Sequence, residues 1–312
     1  MIFGIGMIYG RPVIPLLMTA ISLAISIIPE GLPATATIVM ALGVKRMVKE
    51  NALVRKLPAV ETLGGSTVIC SDKTGTLTQN RMVVKELVIE EDIIKNRTAS
   101  VKDIEDKEKY MEIVYAGALC NDASLDPDQK GEILGDPTEG ALIFLAEDFG
   151  LDQEEFEEKY PREFEEPFDS DRKRMSTMHN INGEHVIYTK GAVDEMLPLC
   201  TKILTSNGER DITDEDKEQI LELSITMSKK ALRVLGFAKK IAKEVPLEDD
   251  EDVEFELTFV GMCGMIDPPR PEVINAIKTC KEAGIRTVMI TGDHLITAEA
   301  IANELRNVEK GK

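Results

Sequence analysis

The chain has no tryptophan, and aromatic residues make up only 4% of its 312 residues. Proteins that stack bases need exposed aromatic platforms, so single-stranded nucleic acid is a poor candidate partner. Positive charge is also short. The chain has 37 Lys and Arg against 56 Asp and Glu, for a net charge of -19. Phosphate backbones are bound by basic patches, and this balance argues against any nucleic acid as partner. It suits a cytosolic portion kept apart from anionic lipid. Cys70, Cys120, Cys200, Cys263 and Cys280 include no C-x-x-C pair. Their scatter fits a reducing compartment and no zinc site. His179 and His185 could meet across a hairpin, but surface histidines are the better reading than a metal site. The acidic runs 154–166 and 248–256 read as solvated faces or loops. No repeat or low-complexity tract stands out.

The N-terminal part lacks charge. From Pro12 to Val44 the one formally charged residue is Glu30. As a helix rising ~1.5 Å per residue the stretch is about 48 Å long, against a hydrocarbon core of about 30 Å. It reads as one membrane span with slack, preceded by the stub of another helix at 1–9. Pro29-Glu30-Gly31-Leu32-Pro33 interrupts it, freeing backbone carbonyls beside a carboxylate that lipid would not tolerate. That favours an ion site over an ordinary kink. Lys45, Arg46 and Lys49 mark the cytoplasmic end, so residues after about 50 are expected in the cytoplasm.

Beyond a stalk-like segment at 54–64, strand patterns alternate with helical ones. Strands are expected at 67–70, 83–90, 184–188, 202–205, 253–265 and 285–290. Helices are expected at 103–121, 214–231 (opened by Thr213 as N-cap), 271–283 and 294–306. Ligand-type residues at strand carboxyl ends follow doubly wound α/β logic.

The run Cys70-Ser71-Asp72-Lys73-Thr74-Gly75-Thr76-Leu77-Thr78 carries the sharpest chemistry. One carboxylate stands just past an apolar strand, followed by glycine and hydroxyl residues. This suits a nucleophile attacking a phosphoryl group, with the turn's amides and hydroxyls on its oxygens. A lone D-K-T-G would more simply be a solvated turn. The whole run D-K-T-G-T-L-T resembles the phosphorylation signature of the P-type cation-transporting ATPases. The resemblance implies that Asp72 is phosphorylated by ATP, that Lys73 screens phosphoryl charge, and that the Asp72 carboxylate and Thr74 carbonyl hold magnesium. Phosphatases of the haloacid-dehalogenase superfamily carry a second Asp where Thr74 stands here. Without that base an aspartyl-phosphate persists, as a pump requires. Cys70, beside this loop, reads as a small buried residue.

Other segments extend the resemblance. Ile28-Pro29-Glu30-Gly31-Leu32-Pro33 is similar to the fourth transmembrane helix of pumps carrying calcium or sodium and potassium. It implies that Glu30 and the carbonyls of Ile25, Ser26 and Ile28 bind the transported cation, and Pro33-Ala34 favours calcium. Asp136-Pro137-Thr138-Glu139, Phe168 to Ser176, Tyr188-Thr189-Lys190-Gly191-Ala192 and Ala231-Leu232-Arg233 resemble nucleotide-binding segments. By that resemblance Phe168 stacks on adenine near Lys173, and Lys190 and Gly191 line the pocket. Glu139 sits near the adenine amino group and Arg233 near the phosphates. Ser170 stands where the family often has arginine. Asp267-Pro268-Pro269-Arg270 makes Asp267 a hinge and nucleotide-side residue. Thr291-Gly292-Asp293 resembles the second phosphate-binding motif.

The fold implied is α/β. A transmembrane segment and stalk (1–50) precede a haloacid-dehalogenase-like phosphorylation domain in two parts (51–82 and 259–312). A mixed α/β nucleotide-binding domain (83–258) is inserted between them. The G-D-G-x-N-D and T-G-E motifs and further membrane helices of the family are not in this sequence. The 312-residue chain alone is therefore expected to bind ATP weakly without efficient turnover, its partners being the bilayer, an actuator domain and other helices. A soluble phosphatase and a non-catalytic ATP-binding membrane module remain the alternatives.

Overall fold

The computed structural model describes residues 2–27, 29, 31–128, 131, 133–245, 253–292 and 295–305. The chain divides into two compact units, 1–69 and 70–312.

The first unit is helical: α1 (Ile2–Ile8), α2 (Val13–Ile27), α3 (Gly31–Lys49) and α4 (Pro58–Gly64). Pro29, within the expected proline-glycine interruption, belongs to neither α2 nor α3, and its neighbours Ile28 and Glu30 lie outside the described residues. Pro15 and Pro33 sit in first turns, where a missing amide donor costs nothing. Their carbonyls accept the hydroxyls of Thr19 at 2.8 Å and Thr37 at 2.9 Å, which hides polar groups within the helix. Neither α2 nor α3 has a buried residue. By length and composition, Val13–Lys49 is long and apolar enough to cross a membrane. Arg46 and Lys49 close α3 and complement its dipole.

In the second unit, β1 (Val68–Asp72) contributes its Cys70–Asp72 end and leads into a tight turn at Lys73–Leu77. Then come β2 (Val83–Val88), α5 (Glu90–Ile94), β3 (Ala99–Ser100), α6 (Met111–Leu119), β4 (Ser124–Leu125) and β5 (Ile133–Leu134). They are followed by α7 (Pro137–Asp148), α8 (Gln153–Lys159), β6 (Arg162–Asp169), β7 (Arg174–Ile181), β8 (Glu184–Gly191) and α9 (Val193–Met196). The unit continues with β9 (Cys200–Thr205), β10 (Gly208–Asp211), α10 (Asp214–Lys229), β11 (Arg233–Ala242) and β12 (Leu257–Ile266). It ends, among the described residues, with α11 (Pro271–Glu282), β13 (Arg286–Ile290) and α12 (Leu295–Glu304). Thr213 caps α10 as expected, exchanging bonds with Asp216.

A nine-stranded sheet in the order β10-β9-β12-β11-β8-β7-β6, with β2 and β3 added alongside β12, organises the unit. Every residue of β12 is buried. Leu257, Phe259 and Met262 join a core with α9 and α10, while Val260, Cys263 and Met265 join a core with α6 and α7. A strand covered on both faces is apolar throughout instead of alternating. β12 pairs in parallel with β9 near its start and antiparallel with β2 near its end. The expected boundary between residues 258 and 259 therefore falls inside one continuous strand. β1 and β13 form a separate two-stranded sheet.

Burial corrects several readings. Cys70 is exposed, because a two-stranded ladder covers little of either face. His179 is 2% exposed, because β7 lies inside the large sheet. Its Nδ1–H donates to the Tyr160 carbonyl at 2.8 Å, leaving Nε2, 2.9 Å from the Thr177 hydroxyl, as acceptor. His185 instead meets Glu163, so the two rings make no shared site. Glu254, from the acidic run expected to be solvated, is 5% exposed. Glu90 begins a helix and does not extend β2, because acidic residues at 90–92 suit a helix start. Only Met111–Leu119 of the expected helix at 103–121 is α-helical; a tighter turn, Lys107–Tyr110, precedes it.

Burial and the nearby Arg162 charge push the His179 pKa below its ordinary value, against the Tyr160 carbonyl, which raises it. An unfolded His titrates at about 6.5. The neutral ring therefore contributes stability that is full above about pH 6.5 and lost as pH falls through the folded pKa. Urea midpoints at pH 7.5 and 5.5 should show this loss in the wild type and a flatter response in His179→Gln.

Candidate active site

Asp72 ends β1 in an extended conformation and is exposed, as are Thr74 and Thr76, while Lys73, Leu77 and Thr78 are buried. Gly75 turns the chain at φ +73°, a region that side chains disfavour. The Thr78 amide closes the turn onto the Lys73 carbonyl at 3.1 Å. The loop thus offers a carboxylate and two hydroxyls to solvent over a buried, apolar and hydroxyl-lined underside.

A distant segment holds it in that shape. The Thr78 hydroxyl donates to Asp267 Oδ2 at 2.5 Å, and the Arg81 amide donates to Asp267 Oδ1 at 3.2 Å. Arg270 donates from Nε to the Thr78 carbonyl and from its terminal nitrogen to the Gly75 carbonyl, each at 3.0 Å. Backbone bonds from Gln79 to Pro268 at 3.0 Å and from Arg270 to Leu77 at 2.9 Å complete the clasp. The family resemblance makes Asp267 a hinge and nucleotide-side residue and gives Arg270 no role. The structure puts both of them on the loop. The signal was the rigid Pro268-Pro269 pair, which fixes the spacing of the two side chains. Thr291 and Gly292 directly follow β13, the strand paired with β1. Asp293 lies outside the described residues, as do Ile28 and Glu30. Ile25 and Ser26 lie in the last turn of α2.

A second cluster forms on β8, β11 and the start of α7, with Arg233 paired across from Met265 near the end of β12. Asp136 caps α7, accepting the Thr138 amide at 2.7 Å, with Pro137 opening the helix. This places Glu139 in the first turn. Glu139 pairs with the Lys190 ammonium and also accepts the Asp122 amide at 3.3 Å. Lys190 is 6% exposed on β8, so the pair is largely shielded from water, and losing one partner would strand the other's charge. Arg233, at the start of β11, donates to the Thr138 hydroxyl. Gly191 backs onto the β6–β7 turn so closely that a Cβ there would lie 2.6 Å from the Lys173 carbonyl oxygen. That carbonyl accepts the Ala192 amide at 3.0 Å. Lys173 itself reaches Glu195 at 2.8 Å, and that carboxylate holds its pKa above the ordinary value. Phe168 is 62% exposed and so is no core aromatic.

Glu139, Lys173, Lys190, Gly191 and Arg233, scattered in sequence, thus share one neighbourhood. A cleft of about 710 Å³ is lined by residues that include Lys73, Lys229, Arg233, Asp267 and Thr297. Its size is typical of small-molecule sites.

Residues 109–272 match the family model described as P-type ATPase, cytoplasmic domain N. The chain belongs to the P-type ATPases. A calcium-transporting ATPase of Bacillus cereus is 48% identical over 97% of the chain and 33% of the relative. One of Lactococcus lactis is 40% identical over 96% and 34%. One of Bacillus subtilis is 40% identical over 99% and 36%. The chain therefore spans about a third of the length of these relatives. The domain match covers the second cluster, the Asp267–Arg270 segment and every strand of the large sheet except β2 and β3.

Losing a partner of a buried acceptor costs about 1–3 kcal/mol. On that scale Arg270→Ala should speed amide exchange across residues 73–79 by roughly 5- to 150-fold. Hydrogen–deuterium exchange read by mass spectrometry checks this; unchanged protection there would show that the clasp does not hold the loop.

Proposed function

We propose that this chain is part of an ATP-driven cation pump in which Asp72 is phosphorylated from ATP. The observation that supports it best is the clasped loop, which leaves the Asp72 carboxylate in solvent while fixing the turn behind it. Phe168 stacks on adenine, with Glu139, Lys173, Lys190 and Gly191 around the base and Arg233 toward the phosphates. The cleft lined by Arg233 and Lys73 supports a path for the triphosphate toward the loop that carries Asp72. A carboxylate oxygen of Asp72 attacks the γ-phosphorus. The bond to the bridging oxygen breaks, and ADP leaves with the electron pair. Lys73 screens the transferred charge, and Thr291, Gly292 and Asp293 complete the phosphate end, with Asp267 positioning the loop. The phosphorylation domain is read as haloacid-dehalogenase-like, and Thr74, in place of a second carboxylate, leaves no base to hydrolyse the acyl phosphate.

Magnesium fits the donors at the loop, which are hard oxygens: the exposed Asp72 carboxylate and the Thr74 carbonyl. Among the described residues no cluster of three or more His, Cys, Asp or Glu offers a ready-made cage, so the nucleotide phosphates would complete its shell. Once bound, magnesium neutralises charge on the phosphoryl oxygens.

The cargo is read as calcium, held by Glu30 and the carbonyls of Ile25, Ser26 and Ile28. The names of the relatives and the hard-oxygen character of these groups support that reading. The interrupted apolar segment supports a membrane location, with the second unit in the cytoplasm.

Incubation with γ-labelled ATP and magnesium, followed by acid quench, should leave a label on the peptide containing Asp72 that hydroxylamine releases. Asp72→Asn should abolish it. A label on another peptide, or one surviving in Asp72→Asn, would refute the assignment. Rapid hydrolysis of small phosphate esters would favour the phosphatase alternative.

A further inference from the structure

The β6–β7 turn that carries Phe168 and Lys173 is anchored by a carboxylate far along the chain. Glu254 is buried, and among the described residues its hydrogen-bonding contacts are to this region. One oxygen, Oε2, takes the Arg172 guanidinium at 2.7 Å and the Arg174 guanidinium at 2.5 Å. Its other oxygen, Oε1, takes the Ser176 hydroxyl at 2.8 Å. Each of these three donors leads to a different part of the second cluster.

Arg172 reaches back to the Pro167 carbonyl at 2.7 Å and to Glu166 at 3.0 Å. Asp169 takes the amides of Asp171 and Arg172 at 2.9 and 2.8 Å. The backbone on both sides of Phe168 is therefore held by the turn that Arg172 braces. The β6–β7 register also slips between Glu166 and Asp169, so the ladder alone does not position that ring. Arg174 lies against Gly191 and follows Lys173, whose φ of +52° is an unfavourable conformation that needs support. Ser176 meets the Thr189 hydroxyl at 2.9 Å, beside Lys190.

We infer that Glu254 is a positioning residue for nucleotide, acting through Arg172 and Arg174 to hold Phe168 and Lys173 against the Lys190-Gly191 backbone. It touches no nucleotide itself. The inference rests on the reading of this cluster as the adenine site. A buried carboxylate shared by two guanidiniums suits the role. It shares one negative charge between them, with Glu166 as a second partner of Arg172, and its removal leaves both guanidiniums to seek other partners and pull the turn with them.

The test measures ATP affinity of the full chain by calorimetry for wild type, Glu254→Gln, Phe168→Ala and the double variant, with circular dichroism reporting the fold. A misplaced contact group of this kind costs on the order of ten- to a hundred-fold. Glu254→Gln should weaken ATP binding by about ten-fold or more. In the double variant the losses should not multiply, because Glu254 acts through the Phe168 turn. A merely structural Glu254 would give multiplying losses, and that result, or unchanged affinity in Glu254→Gln, overturns the inference. If Glu254→Gln does not fold, Arg172→Gln takes its place in the same cycle under the same criteria. If Phe168→Ala and Lys190→Ala both bind ATP as the wild type does, the adenine-site reading fails first and the inference falls with it.

Discussion

The Asp267 carboxylate is bonded at once to the Thr78 hydroxyl and the Arg81 amide, partners 189 and 186 residues away in sequence. Everything between them leaves and returns at this point. Closing so long a loop costs entropy that grows only with the logarithm of its length. The cost is shared by the β2–β12 ladder and by this junction, where Arg270 and the backbone bonds at Gln79 and Leu77 add to the Asp267 contacts. The same junction shapes the loop behind Asp72. One set of contacts thus decides both where the large sheet begins and how a carboxylate is presented.

From that junction the sheet works as a rigid frame. β12 runs into Asp267 directly, buried on both faces, and β11 and β8 follow it in the ladder. Lys190 on β8 and Arg233 on β11 are therefore placed by strand register, while Glu139 is placed by a capped helix. Side chains set on such elements are held more closely than side chains on free loops. The β6–β7 turn is the exception, and it is the part that needs a separate anchor in Glu254.

Much of this was legible in the sequence where the cause was local. The mostly apolar run expected at 253–265, which forms the strand Leu257–Ile266, and the Thr213 cap with Asp216 each carry their reason within a few residues. What depended on distant partners was not legible. Cys70 and His179 were misjudged in opposite directions, because burial follows from how many strands and helices cover a residue. Glu254 was hidden among acidic neighbours, and nothing local distinguishes a carboxylate that meets two guanidiniums from one that meets water. The Asp267 clasp was half visible: its rigidity was written in two prolines, but its partner lay most of a domain away.

The exposure of Phe168 has a thermodynamic consequence. A ring held 62% open to solvent keeps ordered water against an apolar face. A planar ligand that covers it releases that water, and burying apolar surface lowers the heat capacity of the complex. Association there would thus grow more exothermic on warming, a temperature signature set by one uncovered side chain.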